Sequence, residues 1–266
     1  MRKRLVLVIL FAGAILGSCQ TPEEKIHNVE AIENSTMRLK QEIKDYPDSL
    51  QLIEKLIQLY RDAGKYDTAI LITENAIKRD SQVAQLWDIN GTLHYENGDT
   101  INSIKSFEKA IEIYPLPEYI ISLGTLYAQT RNSKALALAD ALIIGDKSKA
   151  QKEAIFIKGL YYNYSGNKKS ALSYFDSCLR MDYTYMFAYR EKAIVLYESG
   201  KFEEALKVLT MAVTVQNNFD EGYYWMGLCY EKLNKTQDAI QSYKTALMYD
   251  KDYIEAKDAL KRLKTE

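Results

Sequence analysis

Residues 84–115 read AQLWDINGTLHYENGDTINSIKSFEKAIEIYP. Trp87, Gly91 and His94 stand at positions 4, 8 and 11 of this stretch, and Ser103, Phe107 and Ala110 at positions 20, 24 and 27. Each triplet has the three-to-four residue spacing that places side chains on one face of an α-helix. Gly98-Asp99 lies between the triplets, and glycine supplies a turn conformation closed to most residues. Pro115 ends the stretch at position 32. The stretch therefore predicts two antiparallel helices joined by a tight turn, with small residues at positions 8 and 20 letting them approach closely.

The same frame recurs every 34 residues, six times, from Leu50 to Tyr253. Position 4 holds Ile53, Ile120, Ile155, Tyr189 and Tyr223. Position 8 holds Gly124, Gly159, Ala193 and Gly227, with Ile57 as the one departure. Tyr60, Tyr127, Tyr162 and Tyr230 occupy position 11. The turn glycine returns as Gly64, Gly166 and Gly200, and Asn234 takes its place in the last repeat, asparagine being tolerant of the left-handed conformation. Ala69, Ala135, Ala171, Ala205 and Ala239 open the contacts of the second helix, and Ala76, Cys178, Ala212 and Ala246 close them. The third repeat, near 117–151, is irregular: it has Arg131-Asn132 at the turn, Ala139 where a ring is usual, and Pro115 and Pro117 before it. A local irregularity of the superhelix, a hinge, is expected there.

These residues resemble the tetratricopeptide repeat family, and the resemblance covers about three quarters of the chain. It implies an all-α, right-handed superhelical solenoid of six helix-turn-helix units, assigned to residues 48–253. Solenoids need polar caps on their end units. Residues 254–266 supply one, with Ala256, Leu260 and Leu263 on the apolar side. Residues 26–44, within an N-terminal segment 19–47, are expected to form the other through Ile26, Val29, Ile32, Leu39 and Ile43.

Ahead of the repeats, Arg2-Lys3-Arg4 precedes the uncharged apolar run LVLVILFAGAIL at 5–16. Twelve residues are too few to span a bilayer, which takes roughly 20. Residues 1–18 read as a secretory signal peptide. Leu16-Gly17-Ser18-Cys19 resembles a bacterial lipobox. That resemblance implies cleavage before Cys19 and a covalent lipid on its thiol, the sole non-protein group expected. Two or three acyl chains, at about 0.8 kcal/mol per buried methylene, would hold the chain at a membrane. Gln20 rather than aspartate after the cysteine points to the outer membrane, facing the periplasm. Thr21-Pro22-Glu23-Glu24 reads as a helix start, with Thr21 as N-cap and Pro22 at the first helical position, so the tether is expected to be short.

Loss of residues 1–18 would leave 32 basic against 36 acidic side chains, a net charge of −4. No basic stripe points to nucleic acid. His27 and His94 are the sole histidines, and no HExxH, GxSxG or phosphate-cradling glycine loop is present, so catalysis is not expected. His94, Cys178 and Cys229 read as core residues; the two cysteines lie several helix steps of about 8–10 Å apart, too far to bridge.

Family resemblance places ligand-facing residues at positions 2, 5, 9, 12 and 13 of a concave groove lined by the first helices. The first two repeats carry Gln51, Glu54, Gln58, Arg61, Asp62, Gln85, Asp88, Thr92, Tyr95 and Glu96 there. Glu54, Gln58, Asp88 and Thr92 replace the Lys and Asn with which some members grip a C-terminal carboxylate. The last three repeats carry Phe156, Leu160 and Tyr164, then Phe187, Arg190, Ile194 and Tyr197, then Tyr224 and Leu228. An apolar, tyrosine-rich strip outside the core has the composition of an interface and suits a peptide or protein partner. The alternatives are coverage by the chain itself or burial in a homodimer. By layout the chain is similar to envelope lipoproteins of this family that assist pilus secretin assembly, outer-membrane protein assembly or peptidoglycan hydrolase turnover. The expectation is a non-catalytic scaffold or adaptor.

Overall fold

The structure, a computed structural model, describes residues 22–145 and 147–263. The signal sequence, Cys19, Gln20 and Thr21 lie outside the described residues. A long helix, α1 (Pro22–Asp45), precedes the repeats. Six helix pairs follow: α2 (Leu50–Asp62) with α3 (Tyr66–Arg79), α4 (Ala84–Glu96) with α5 (Thr100–Ile113), α6 (Pro117–Gln129) with α7 (Lys134–Gly145), α8 (Lys147–Tyr164) with α9 (Lys168–Met181), α10 (Met186–Glu198) with α11 (Phe202–Val215), and α12 (Asp220–Lys232) with α13 (Thr236–Tyr249). A last helix, α14 (Ile254–Leu263), begins where the period would start a seventh repeat. The described residues form helices and turns, with no strand among them, as the all-α helix-pair reading requires.

Each pair is closed by the same turn. In all six repeats the N–H of position 16 donates to the carbonyl of position 11, at 2.8–2.9 Å, from Lys65 to Tyr60 through Lys235 to Tyr230. This six-to-one bond satisfies a carbonyl left free at the end of the first helix, and it needs a left-handed residue at position 15. Gly64, Gly98, Gly166 and Gly200 supply it with φ of 67–87°. Asn234 adopts φ 58° and Arg131 φ 61° at the same position. The third repeat thus keeps the turn geometry without the glycine.

The seam between the two helices of a repeat is set by positions 8 and 24. A β-carbon placed on Gly91 would come within 2.9 Å of the Phe107 ring, one on Gly159 within 2.6 Å of Phe175, and one on Gly227 closer still to Tyr243. All three rings are fully buried. Where position 8 is larger, position 24 is smaller: Ala193 goes with Leu209, and Ile57 with Thr73, all four buried. In these five repeats volume is exchanged across the seam, as close packing demands. In the second repeat Ser103 stands where the others carry alanine, and its hydroxyl donates to the Gly91 carbonyl at 2.8 Å.

The chain divides into two compact units within α6, the first ending at Leu126 and the second beginning at Tyr127. The core of the N-terminal unit gathers Ile53, Ile57, Ile70, Ile77, Leu86 and Leu93, with Ile43 of α1 packed on it. In the C-terminal unit one cluster runs through Tyr189, Leu196, Leu209 and Phe219, and another joins Tyr243, Tyr253, Ala256 and Ala259, with Leu260 and Leu263 of α14 against it. The repeat lengths are uneven around this division. Helix α7 has 12 residues against 14 in the other second helices, and α8 has 18 against 13 in the other first helices.

Candidate functional site

The first helices of the two units present opposite chemistry at the frame positions expected to face a ligand. In the C-terminal unit these positions are largely closed by the chain itself. Phe156, at position 5 of the fourth repeat, is 1% exposed. Its ring meets Phe175 at 5.7 Å, Tyr185 edge-on at 5.3 Å and Phe187 at 6.5 Å. Leu160 is 2% exposed and Arg190 3%. These three are corrected from open groove to interior. Tyr224 lies 4.9 Å from the Tyr253 ring and 5.7 Å from Tyr243, and Leu228 packs on the same cluster. Tyr197 touches Phe202 and Trp225 edge-on. Tyr164, Phe187, Ile194, Tyr197, Tyr224 and Leu228 remain half-buried.

The residue that decides this burial was not singled out in the sequence. Tyr185, Phe219 and Tyr253 recur 34 residues apart at the last position of the fourth, fifth and sixth repeats, and all three are buried. Tyr185 covers Phe156, and Tyr253 covers Tyr224. The corresponding residues before α2, α4 and α6 are Ser49, Val83 and Leu116, which bring no ring. The signal was therefore present as a second periodic feature, aromatic in one half only.

Arg190 is held by charge. Its guanidinium donates to Glu221 at 2.8 Å and to Glu191 at 3.1 Å, and it lies 5.5 Å from the centre of the Phe187 ring. Burial alone would favour the uncharged form, but the two carboxylates hold the guanidinium charged. Burial raises the Glu191 carboxyl, and Arg190 opposes that shift.

The N-terminal unit carries carboxylates instead. Asp88, at position 5 of the second repeat, is pushed up to about 7, first by burial and then by the charge of Glu118. Burial likewise raises Glu54, at position 5 of the first repeat, and its Oε1 is buried with no hydrogen-bond partner among the described residues. Arg61 and Glu96 pair across the first two repeats, with Nε donating to Oε2 at 2.7 Å.

The remaining reactive side chains are packed away. Cys178 and Cys229 are free and buried, and burial pushes both thiols up to about 12, which leaves them protonated and unreactive. His94 is buried, with Nδ1 3.4 Å from Asp99. Among the described residues no group of three His, Cys, Asp or Glu is placed to hold a metal ion. None of the described helices is long and apolar enough to cross a membrane.

Two family profiles match the chain. A tetratricopeptide repeat profile covers residues 84–115, and the N-terminal tetratricopeptide repeat region of Psidin covers 157–260. The protein belongs to the tetratricopeptide repeat family, whose fold serves protein–protein interaction. A repeat-containing protein of Methanocaldococcus jannaschii is 28% identical over 200 residues, 66% of this chain and 35% of that protein. Human Superkiller complex protein 3 is 24% identical over 271 residues, 89% of this chain and 17% of its own length. The chain thus spans about a third or less of these curated relatives. Among solved structures, a tetratricopeptide repeat protein from Parabacteroides merdae superposes with a TM-score of 0.73 at 17% identity, covering 91% of this chain and 95% of that one. PilW, a type IV pilus biogenesis factor, superposes with a TM-score of 0.59 at 17% identity, covering 79% and 97%. At these identities the likeness is one of fold.

Proposed function

We propose that this protein is a non-catalytic adaptor, lipid-anchored in the bacterial envelope at the outer membrane, that binds a peptide or protein partner on the first-helix faces of its repeats. The observation that carries the binding reading is the departure of those faces from the repeat average. The seam positions are interchangeable from repeat to repeat, whereas positions 5 and 9 hold Glu54, Gln58, Asp88 and Thr92 in one half and rings, aliphatics and Arg190 in the other. Of these, Glu54, Gln58 and Asp88 in one half and Ile194 in the other keep exposed area that recognition can use, while Phe156, Leu160 and Arg190 are interior. Phe187, Ile194 and Tyr197, half-buried and close in sequence, give the C-terminal face apolar contact area.

Photocrosslinking tests this. A crosslinkable residue at Gln58 or Gln85, both exposed on first helices, should capture a partner in native membranes. The same residue at Leu71 or Lys78, exposed on α3, should not. Equal capture from both faces, or none from either, would sink the reading. The anchor rests on Leu16-Gly17-Ser18-Cys19 after the apolar run, and Cys19→Ser should abolish palmitate incorporation and leave the precursor uncut. A second reading is a homo-oligomer whose face is occupied by a second copy, which would cover the half-buried Phe187, Ile194 and Tyr197. Light scattering after size exclusion separates the two: a monomer that still captures a partner favours the adaptor.

A further inference from the structure

The second helix of the fourth repeat and the turn of the fifth enclose a cavity of about 490 Å³. Helix α9 forms one wall with Lys168, Lys169, Ser173 and Arg180, and Ser199 and Lys201, in the turn between α10 and α11, form the other. Lys169, Ser173 and Arg180 stand at i, i+4 and i+11, on one face of the helix. From Lys168 to Arg180 the cations spread along roughly 18 Å of helix axis. Lys169, Ser173, Arg180 and Lys201 are exposed, so the cavity is open to solvent.

Acids of the chain answer only part of this charge. Lys168 bonds to Glu198 at 2.6 Å, and Lys201 lies 3.1 Å from Glu204 in an exposed pair of little worth. The acid that lines the cavity, Asp176, is engaged by Lys192 of α10 at 2.6 Å. Arg180 donates to the Ser177 hydroxyl at 2.7 Å and meets no carboxylate among the described residues, and the Lys169 ammonium meets no acceptor among them.

The repeat frame shows that the fold does not call for these cations. Eight residues line the cavity, with four cations among them and one acid. At the same frame positions the first repeat carries Asp67, Glu74 and Asp99 against Lys78, and the fifth carries Glu203 against Lys207 and Lys235. The turn between the helices is alike in all of them. The positive excess is therefore local to this cavity, in a chain whose net charge is −1. Cations gathered around a cavity repel one another, and an anion held between them relieves that repulsion. A phosphate group carries a charge of about −1.5 to −2 and three acceptor oxygens, so it can engage several ammonium and guanidinium donors at once.

We propose that this cavity, walled by Lys168, Lys169, Arg180 and Lys201, binds a ligand that carries two or more phosphate groups in series. The spread of the cations along α9 exceeds the width of one phosphate, which favours a chain of them. The site lies on a second helix, away from the first-helix faces proposed for a partner, and it stands or falls separately from them.

The full chain is titrated by calorimetry at low salt with tripolyphosphate and with acetyl-hexaglutamate-amide, an acidic peptide of greater charge. Tripolyphosphate should bind, and about tenfold or more tighter than the peptide. Lys169→Gln with Lys201→Gln should keep the helical circular dichroism and weaken tripolyphosphate about tenfold or more. Lys207→Gln with Lys235→Gln removes the same charge from the corresponding positions of the next repeat and should leave binding unchanged. Farnesyl diphosphate separates a lipid-borne from a soluble source of the phosphates. Tighter binding than tripolyphosphate, lost in Lys169→Gln with Lys201→Gln, assigns them to a lipid, and weaker binding assigns them to a soluble ligand. The proposal is overturned if tripolyphosphate does not bind, if the glutamate peptide binds as tightly, or if the two double variants weaken tripolyphosphate alike.

Discussion

The N-terminal and C-terminal units share one seam and differ in one face. In both, positions 8 and 24 of a repeat share the space between its two helices, as with Gly91 under Phe107 and Gly159 under Phe175. On the first-helix face the C-terminal unit seals position 5 with its own residues: Tyr185 over Phe156, Tyr253 over Tyr224, and Glu191 with Glu221 around Arg190. The N-terminal unit places Glu54 and Asp88 at position 5, with carboxyls raised by burial. A repeat architecture separates these two tasks because each unit needs only its seam to hold its helices together. The face is then free to vary with what it meets.

The largest effect should come from breaking the sealed face. Arg190→Ala leaves Glu191 and Glu221 without their cation in the interior, and should cost about 3–5 kcal/mol by chemical denaturation. A loss below 1 kcal/mol would mean that the triad is not what closes this half. The shared seam comes next. Gly159→Ile drives a branched side chain into the Phe175 ring and should cost about 3 kcal/mol or more. Adding Phe175→Thr, which copies the Ile57 and Thr73 arrangement, should restore much of that loss. If the double variant is no better than the single one, volume exchange across the seam is wrong.

The open face should respond in the opposite sense. Asp88 has a folded-state carboxyl raised to about 7, above its unfolded value of 3.8, so the folded state binds the extra proton between those values. Its contribution to stability therefore falls as pH rises from about 4 to 7 and stays unfavourable above that. Asp88→Asn should stabilise the free protein by on the order of 2 kcal/mol at pH 8, with the gain vanishing near pH 4. Denaturation midpoints across that range check the sign; a variant less stable than wild type at pH 8 would contradict it. The smallest effect lies at the turn of the third repeat. Arg131 holds φ 61° where four other repeats use glycine, so Arg131→Gly should stabilise by about 0.5–1 kcal/mol, and Gly64→Ala should destabilise by a similar amount.

Much of the fold was legible because its determinants are local and periodic. Gly98 marks a left-handed turn whatever surrounds it, and Gly91 with Phe107 marks a close crossing within one repeat. The turn at Arg131 was legible from its frame position rather than its residue type, because the bond from Asn132 to Tyr127 imposes the geometry. The face was less legible. Phe156 and Leu160 occupy the same frame positions as Glu54 and Gln58, and nothing in their spacing says whether a ring from elsewhere in the chain will cover them. Arg190 looked like a surface hot spot because an isolated arginine ordinarily is one, and its burial needed two acids, one from the next repeat. Asp88 read as a polar groove residue, and its raised carboxyl emerged from burial and from Glu118 on another helix.

By itself the sequence determined the helix pairs, their 34-residue period, the turns and the seam, since these rest on interactions within a single repeat. Only the tertiary structure decided which first-helix residues are interior and which are available. That outcome depends on what the following repeat brings: Tyr185 and Tyr253 close one half, while Glu118 adds like charge in the other. Burial is a property of neighbours that meet through the fold. A period can say where a side chain stands, but not what will stand against it.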